Sequence, residues 1–465
     1  MKWLLLVFLS LPLFLPAQTK DDAVEALSQY LRFPSLSGAE AEAGRFFADL
    51  CAARGLHLTF MGEENGRINF AASLYALSEG KPNVLFLNHI DVVEADTSKQ
   101  VWRYPPFSGT VAEGKIWGRG AYDNKGAGIM QLFAIASFVA RAQAEDLPFN
   151  VTLLAVSCEE TQCKGGLQSV IRDYLTALNP VVVFGEGPPS LEGVVPSHPD
   201  KLIYPIAVGH KRALWLQLHS EVDCLGHGSV TPPVYSNKEM VHALDRLMGW
   251  KPRLRFNRQN VRMLKELGRL EGGLTGFFLR HPRLLKPVVA PALRKEPALA
   301  ALFSDNLTVT TIHGGNETVN AIPRQCTALI DCRLLPYTDQ DKYLMQLRKK
   351  MGKADIGVDI LMEMPQVGLS SEDSPFYEAL YQSISAFYPD AAVFPVIIPN
   401  ITDDGWFRAA GIPCYSSIPV HMTRESMECI HGADEHIPVQ SLLDGIAVYT
   451  DLIGRIFGIA GLAEE

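Results

Sequence analysis

Residues 151–160 read VTLLAVSCEE, a short apolar, β-branched run that ends in two adjacent glutamates, Glu159 and Glu160. Two like charges side by side repel each other and, if buried, lose their hydration. Such a pair belongs either in a solvated turn or beside a positively charged partner. The run before it has the length and continuity of a strand buried on both faces. Two more runs of this kind follow the same rule, VLFL at 84–87 and VVVF at 181–184. Helical patterns lie between them, at 125–141 (KGAGIMQLFAIASFVAR) and 166–177. Strands alternating with helices predict an α/β fold whose mixed, mostly parallel central sheet is flanked by helices.

Polar residues follow each run. His89 and Asp91 come after the first, Glu159 and Glu160 after the second, and Glu186 after the third. Open α/β sheets bind ligands beyond the carboxyl ends of their strands. Three strands therefore aim His, Asp and Glu at one rim. Asp123 sits in a glycine-rich turn, GRGAYDNKG at 118–126, where a helix N-cap is the simpler role for it taken alone. His431 lies in the loop CIHGADEHIP, 429–438, ahead of a helix predicted over 439–457. Imidazoles and carboxylates without a thiolate suit Zn²⁺, with Mn²⁺ or Co²⁺ as substitutes. In His89-x-Asp91 the two side chains share a face of an extended segment. Asp91 can then accept the second ring N–H of His89, which makes it a support for a ligand rather than a ligand.

The whole chain bounds these readings. Its 465 residues, 47% hydrophobic and 20% charged, describe a globular protein with more than one domain. A net charge of -9 argues against nucleic acid as a partner. Residues 1–17 combine Lys2, an apolar run to Pro16 and the small Ala17, the layout of a signal peptide cut after Ala17 and hence of an exported protein; the alternative is a retained anchor. No later stretch is expected to span a membrane. Eight cysteines lie mostly in apolar runs and show no C-x2-C pair, so most are expected as buried free thiols. Residues 251–297 carry 12 Lys and Arg against 3 Glu, a local charge of +9. Two readings stay open for that segment: a solvated basic elaboration of a second domain, or a basic and apolar surface that recruits acylated substrates or touches membrane headgroups.

The ordered series HIDVV, WRYPPFSGTVAEGKIWGRGAYDNKG, EE, GEG and HGADEHIP resembles the M20 family of zinc metallopeptidases and amidohydrolases. Within it, the chain is most similar to the carboxypeptidase S-like and N-acyl-amino-acid hydrolase branch. The resemblance implies two zinc ions per chain. His89 and Glu186 would hold one, Glu160 and His431 the other, and Asp123 would bridge them, with Glu159 as general base. It also implies a catalytic domain, 18–202 and 365–465, interrupted by an inserted α+β lid at 203–364 that serves dimerisation in relatives. On the lid, His227 would polarise the scissile carbonyl, often across a dimer. Asn320 and Arg333 match substrate-binding positions, Arg333 for a free carboxylate unless it serves a structural salt bridge. The expected activity is hydrolysis of amide bonds in small peptides or N-acyl amino acids. Carboxypeptidase, dipeptidase and aminoacylase chemistry are not separated, and a non-catalytic binding protein on this fold is the alternative of another class. The chain departs from the family pattern at Glu94, at GPPS after Glu186, and in NITDDGWFR at 400–408.

Overall fold

The three apolar runs become neighbouring parallel strands. In this computed structural model, which describes residues 20–223, 226–315, 318–352 and 355–459, fifteen strands are formed. In chain order they are β1 (His57–Glu64), β2 (Arg67–Ser73), β3 (Asn83–His89), β4 (Thr110–Ala112), β5 (Lys115–Trp117), β6 (Asn150–Val156), β7 (Pro180–Gly185) and β8 (Ile203–His210). There follow β9 (Arg212–Glu221), β10 (Asn306–Gly314), β11 (Gln325–Leu334), β12 (Gly357–Glu363), β13 (Ala392–Ile398), β14 (Cys414–Ser416) and β15 (His436–Pro438).

Eight strands form the central sheet, in the order β1-β2-β6-β3-β7-β14-β8-β13. Strand β3 pairs in parallel with β6 on one side and β7 on the other, and every residue of β3 and β6 is buried. Burial on both faces explains why these strands read as continuous apolar runs instead of alternating ones. The helix Lys125–Ala136, buried along its whole length, lies against this sheet and is covered in turn by the helix Val439–Ile456. By length and composition alone 125–144 could cross a membrane, but 72% of its apolar window is buried inside the protein, so it is a core helix. The expectation of residues 1–17 as a leader lies outside the described residues.

A second sheet, β10-β11-β9-β12, is antiparallel. Burial alternates along β11, as in a sheet with one face covered. The cover is two helices, Ser236–Met248 and Gln340–Met351, which meet Leu214, Leu216, Leu218 and Ile330 through Met240, Leu244 and Leu347. This sheet lies within the expected lid, but its boundary differs. Residue 203 was expected to start the lid, whereas β8 pairs in parallel with β13 and belongs to the central sheet. The change of sheet occurs at Lys211, between β8 and β9.

That register has a consequence for 251–297. Adding β8 and β13 extends the central sheet, and the added apolar face needs cover. The helices Arg258–Glu271, Gly273–Arg280 and Lys286–Leu293 supply it. Met263, Leu264, Leu267, Val289 and Leu293 pack on Ile203, Ala207, Phe394 and Val396. The segment was expected as an elaboration of the lid; it is instead the outer layer of the catalytic sheet.

A small sheet, β15-β5-β4, ties the C-terminal loops to the glycine-rich turn. There Arg119 and Glu435 form a buried ion pair at 2.6 Å, both nearly inaccessible to solvent. Glu435 also accepts the backbone N–H groups of Tyr122 and Asp123, each at 3.1 Å. Glu435→Ala leaves the buried Arg119 guanidinium without its counter-ion, with only the Gly432 carbonyl as acceptor, and two N–H donors without partners. It is expected to cost about 3–5 kcal/mol, read as a lower midpoint in thermal or urea unfolding.

Candidate metal centre

The site is built where parallel strands end. Because β6, β3 and β7 run side by side in the same direction, His89, the Glu159–Glu160 pair and Glu186 emerge at one rim. Asp123 reaches this rim from the turn before the helix Lys125–Ala136, where its peptide bond to Asn124 is cis. Gly126 is required there, since a Cβ would overlap the backbone carbonyl of Ala121. His431 arrives from the loop before β15, in the left-handed region with φ of 61°.

The five side chains form two groups that share Asp123. His89 Nε2 lies 3.0 Å from Asp123 Oδ1 and 3.6 Å from Glu186 Oε2. His431 Nε2 lies 3.1 Å from Asp123 Oδ2 and 3.4 Å from Glu160 Oε1. In each group of three the ligand atoms lie within 4.8 Å of one another. Asp123 thus offers one oxygen to each group. The Oε1 of Glu160 is buried and makes no hydrogen bond, so an acceptor in the second group is left unsatisfied. Nitrogen and carboxylate donors without thiolate fit a divalent ion of the zinc type.

Asp91 holds this arrangement from behind. Its backbone carbonyl accepts His89 Nδ1 at 2.9 Å, while its carboxylate Oδ1 is 3.5 Å away. The expected ring contact through the carboxylate is therefore made chiefly by the carbonyl. The carboxylate does other work: Oδ1 accepts Glu159 N–H at 3.0 Å, and Oδ2 accepts Glu160 N–H at 3.1 Å and Ser37 Oγ at 2.6 Å. A disulfide, Cys158–Cys163, closes the loop that carries both glutamates. Cys51, Cys326, Cys332 and Cys414 are free and buried, as expected, and Cys429 is free and partly buried.

Glu159 faces a narrow cavity lined also by His89, Asn124, Glu186, Thr402 and Asp403. Gln162 Nε2 donates to Glu159 Oε1 at 3.1 Å and lies 3.4 Å from Asp403 Oδ1. Asp403, Thr402, Glu40 and Glu435 were not singled out from sequence. Asp403 and Thr402 lie in NITDDGWFR and Glu435 in CIHGADEHIP, both stretches already noted. Glu40, which accepts Cys158 N–H at 3.1 Å, had no local signal.

The lid residues stand apart. His227 Nε2 is 3.0 Å from Asn320 Nδ2, so these two meet each other. Arg333 Nε donates to Asp331 Oδ2 at 3.0 Å, the structural salt bridge of the two readings. Among the described residues, no contact joins His227, Asn320 or Arg333 to the five-residue cluster.

Electrostatics show what the cluster wants. Burial, with the charge of Asp123, pushes Glu186 up to about 7. Burial and the charge of Glu186 push Glu159 well above the carboxylate range. The hydrogen bond to Asp123 and the nearby Glu160 carboxylate raise His431 to about 10. Burial opposes ionisation of Asp123, but hydrogen bonds from His431 and His89 outweigh it and hold its carboxyl low. Protons on Glu186 and the histidines thus offset the carboxylates until a cation replaces them. Because these pKa values are raised, His431 holds its proton and Glu186 is about half protonated at neutral pH, and both must release protons on binding a cation. Zinc affinity should therefore fall as pH drops through about 7, with proton release visible by calorimetry in buffers of different ionisation enthalpy.

The chain resembles known proteins in sequence and in fold. The sequence is 26% identical over 380 residues to the mouse (Mus musculus) N-fatty-acyl-amino acid synthase/hydrolase PM20D1, covering 79% of this chain and 73% of that one. It is 23% identical over 381 residues to a probable carboxypeptidase S-like 2 of Dictyostelium discoideum, covering 81% and 72%. The fold is similar to that of the M20 family metallo-carboxypeptidase Sso-CP2 from Sulfolobus solfataricus, with a TM-score of 0.68, 21% identity, and coverage of 94% and 99%. The model of peptidase family M20/M25/M40 matches residues 85–455, and with most of its length so matched the chain belongs to that family.

Proposed function

We propose that this metal-dependent amide hydrolase acts on small peptides or N-acyl amino acids that carry a free carboxylate, with two zinc ions bound per chain. One ion is assigned to His89, Asp123 and Glu186, the other to Asp123, Glu160 and His431. The observation that carries the reading is the sharing of Asp123 between two ligand groups, with Glu159 lining the cavity beside them. The name of the mouse relative supports N-acyl amino acids over plain dipeptides as the first substrates to try.

When bound, such cations supply Lewis acidity to a carbonyl and lower the pKa of water. The chain's own residues do the rest. Glu159 accepts the proton of the attacking water and later delivers it to the leaving amine nitrogen. Its position is set by Asp91 through the backbone and by Gln162 at the carboxylate. His227 donates a hydrogen bond to the developing oxyanion. Because no described contact brings His227 to the cluster within one chain, we place it across a homodimer formed through the lid. Arg333 keeps its terminal guanidinium nitrogens for a substrate carboxylate while Nε stays on Asp331.

Glu159→Gln is expected to keep the wild-type metal content and lose about 10²–10⁴ in kcat on N-acyl amino acids. Turnover at the wild-type rate would remove Glu159 as the base. Light scattering should give twice the chain mass. Mixed dimers of Glu159→Gln with His227→Ala should recover activity at one of their two sites; no recovery would place His227 in cis or outside the reaction.

A further inference from the structure

The basic segment that covers β8 and β13 has an outer face with exposed apolar side chains and cations. The inner face of its helices is spent on the sheet. On the outside, Leu274 is 72% and Leu284 79% exposed, with Phe277 and Val288 about half exposed. Beside them a cleft of about 530 Å³ is lined by Arg253, Arg255, Arg283 and Lys286. Among the described residues only Arg255 of these four has a carboxylate within salt-bridge distance, Asp305 at 3.7 Å. Lys286 Nζ sits over the Phe256 ring at 5.3 Å, which holds it in the cleft without neutralising it. The segment carries +9 while the remaining chain carries -18, so the cations are gathered here against the sign of the protein.

We infer that this face docks onto the surface of an anionic lipid bilayer, with the cleft taking a headgroup phosphate and Leu274, Phe277, Leu284 and Val288 entering the acyl boundary. Two features together select the partner. Clustered cations, three of the four without a counter-ion among the described residues, call for phosphate or carboxylate groups. Apolar side chains that protrude singly, next to the cations and outside the cleft, gain by leaving water for a boundary that yields around them. An acidic soluble ligand would account for the cleft but not for Leu274 and Leu284. Docking would bring the enzyme to the phase in which long-chain N-acyl amino acids concentrate. That consequence rests on the proposed substrate class; the docking does not.

The test is co-sedimentation of the full metal-loaded chain with vesicles of phosphatidylcholine alone or mixed 3:1 with phosphatidylglycerol. Residues 1–17 are the same in every variant and cancel in the comparison between them. Binding is expected to the anionic vesicles only, and to weaken with added salt. Arg253→Gln with Arg283→Gln should weaken it about 25-fold, roughly fivefold per charge removed. Leu274→Ser with Leu284→Ser should weaken it further, and Leu284→Trp should show a blue-shifted emission on anionic vesicles. Hydrolysis of a water-soluble N-acetyl amino acid reports folding and should not change. Equal binding to both vesicle types, or anionic binding indifferent to these substitutions, would overturn the proposal. Saturable binding of inorganic phosphate without vesicle binding would assign the cleft to a soluble anion. A dimer dissociated by Leu284→Ser would assign the face to a second copy of the chain. Either of these last results would also overturn it.

Discussion

Three parallel strands, β6, β3 and β7, must end at one rim, and the rest of the molecule follows from that constraint. Their adjacency puts His89, Glu159, Glu160 and Glu186 within reach of one another without any contribution from sequence proximity. Asp123 and His431 then complete the cluster from turns anchored by the small sheet. The price is a concentration of negative charge in a poorly hydrated place, and divalent cations are the natural counterweight.

A cluster of this kind would relax if its members could move apart. The surroundings prevent it by satisfying backbone groups with buried side chains. Asp91 pins both glutamates of the pair through their N–H groups. Glu435, tied to Arg119, does the same for the turn that carries Asp123. The disulfide shortens the freedom of the loop between Cys158 and Cys163. The candidate ligands are thus positioned by residues outside the two ligand groups, which is the usual way a metal site gains geometry.

The two domains divide the chemistry. The central sheet carries the candidate metal ligands and Glu159, whereas His227 and Asn320 meet on the lid, away from that cluster. At the opposite flank, the same sheet needs a layer over β8 and β13. The helices that provide it gather the chain's positive charge on the outside.

Much of the centre was legible in the residues. Apolar runs ending in acids mark buried parallel strands whose tips face a ligand, and the ordered motifs name the remaining ligands Asp123 and His431. The α/β class was legible for the same reason, because burial on both faces leaves continuous apolar runs, and the inserted lid only through the family resemblance. What stayed hidden depends on pairing between distant segments. That β8 joins β13 and leaves the lid to start after Lys211 is a matter of register, which hydrophobic pattern does not determine between two apolar strands. The cover that 251–297 gives to that edge follows from the same pairing. Asp403, Glu40 and Glu435 became part of the site only through contacts made across long stretches of chain. Local chemistry and the ordered motifs, then, pointed to the candidate ligands and to a divalent cation. The tertiary structure decided which residues hold them in place, since a buried hydrogen bond has no signature until both of its ends are folded together.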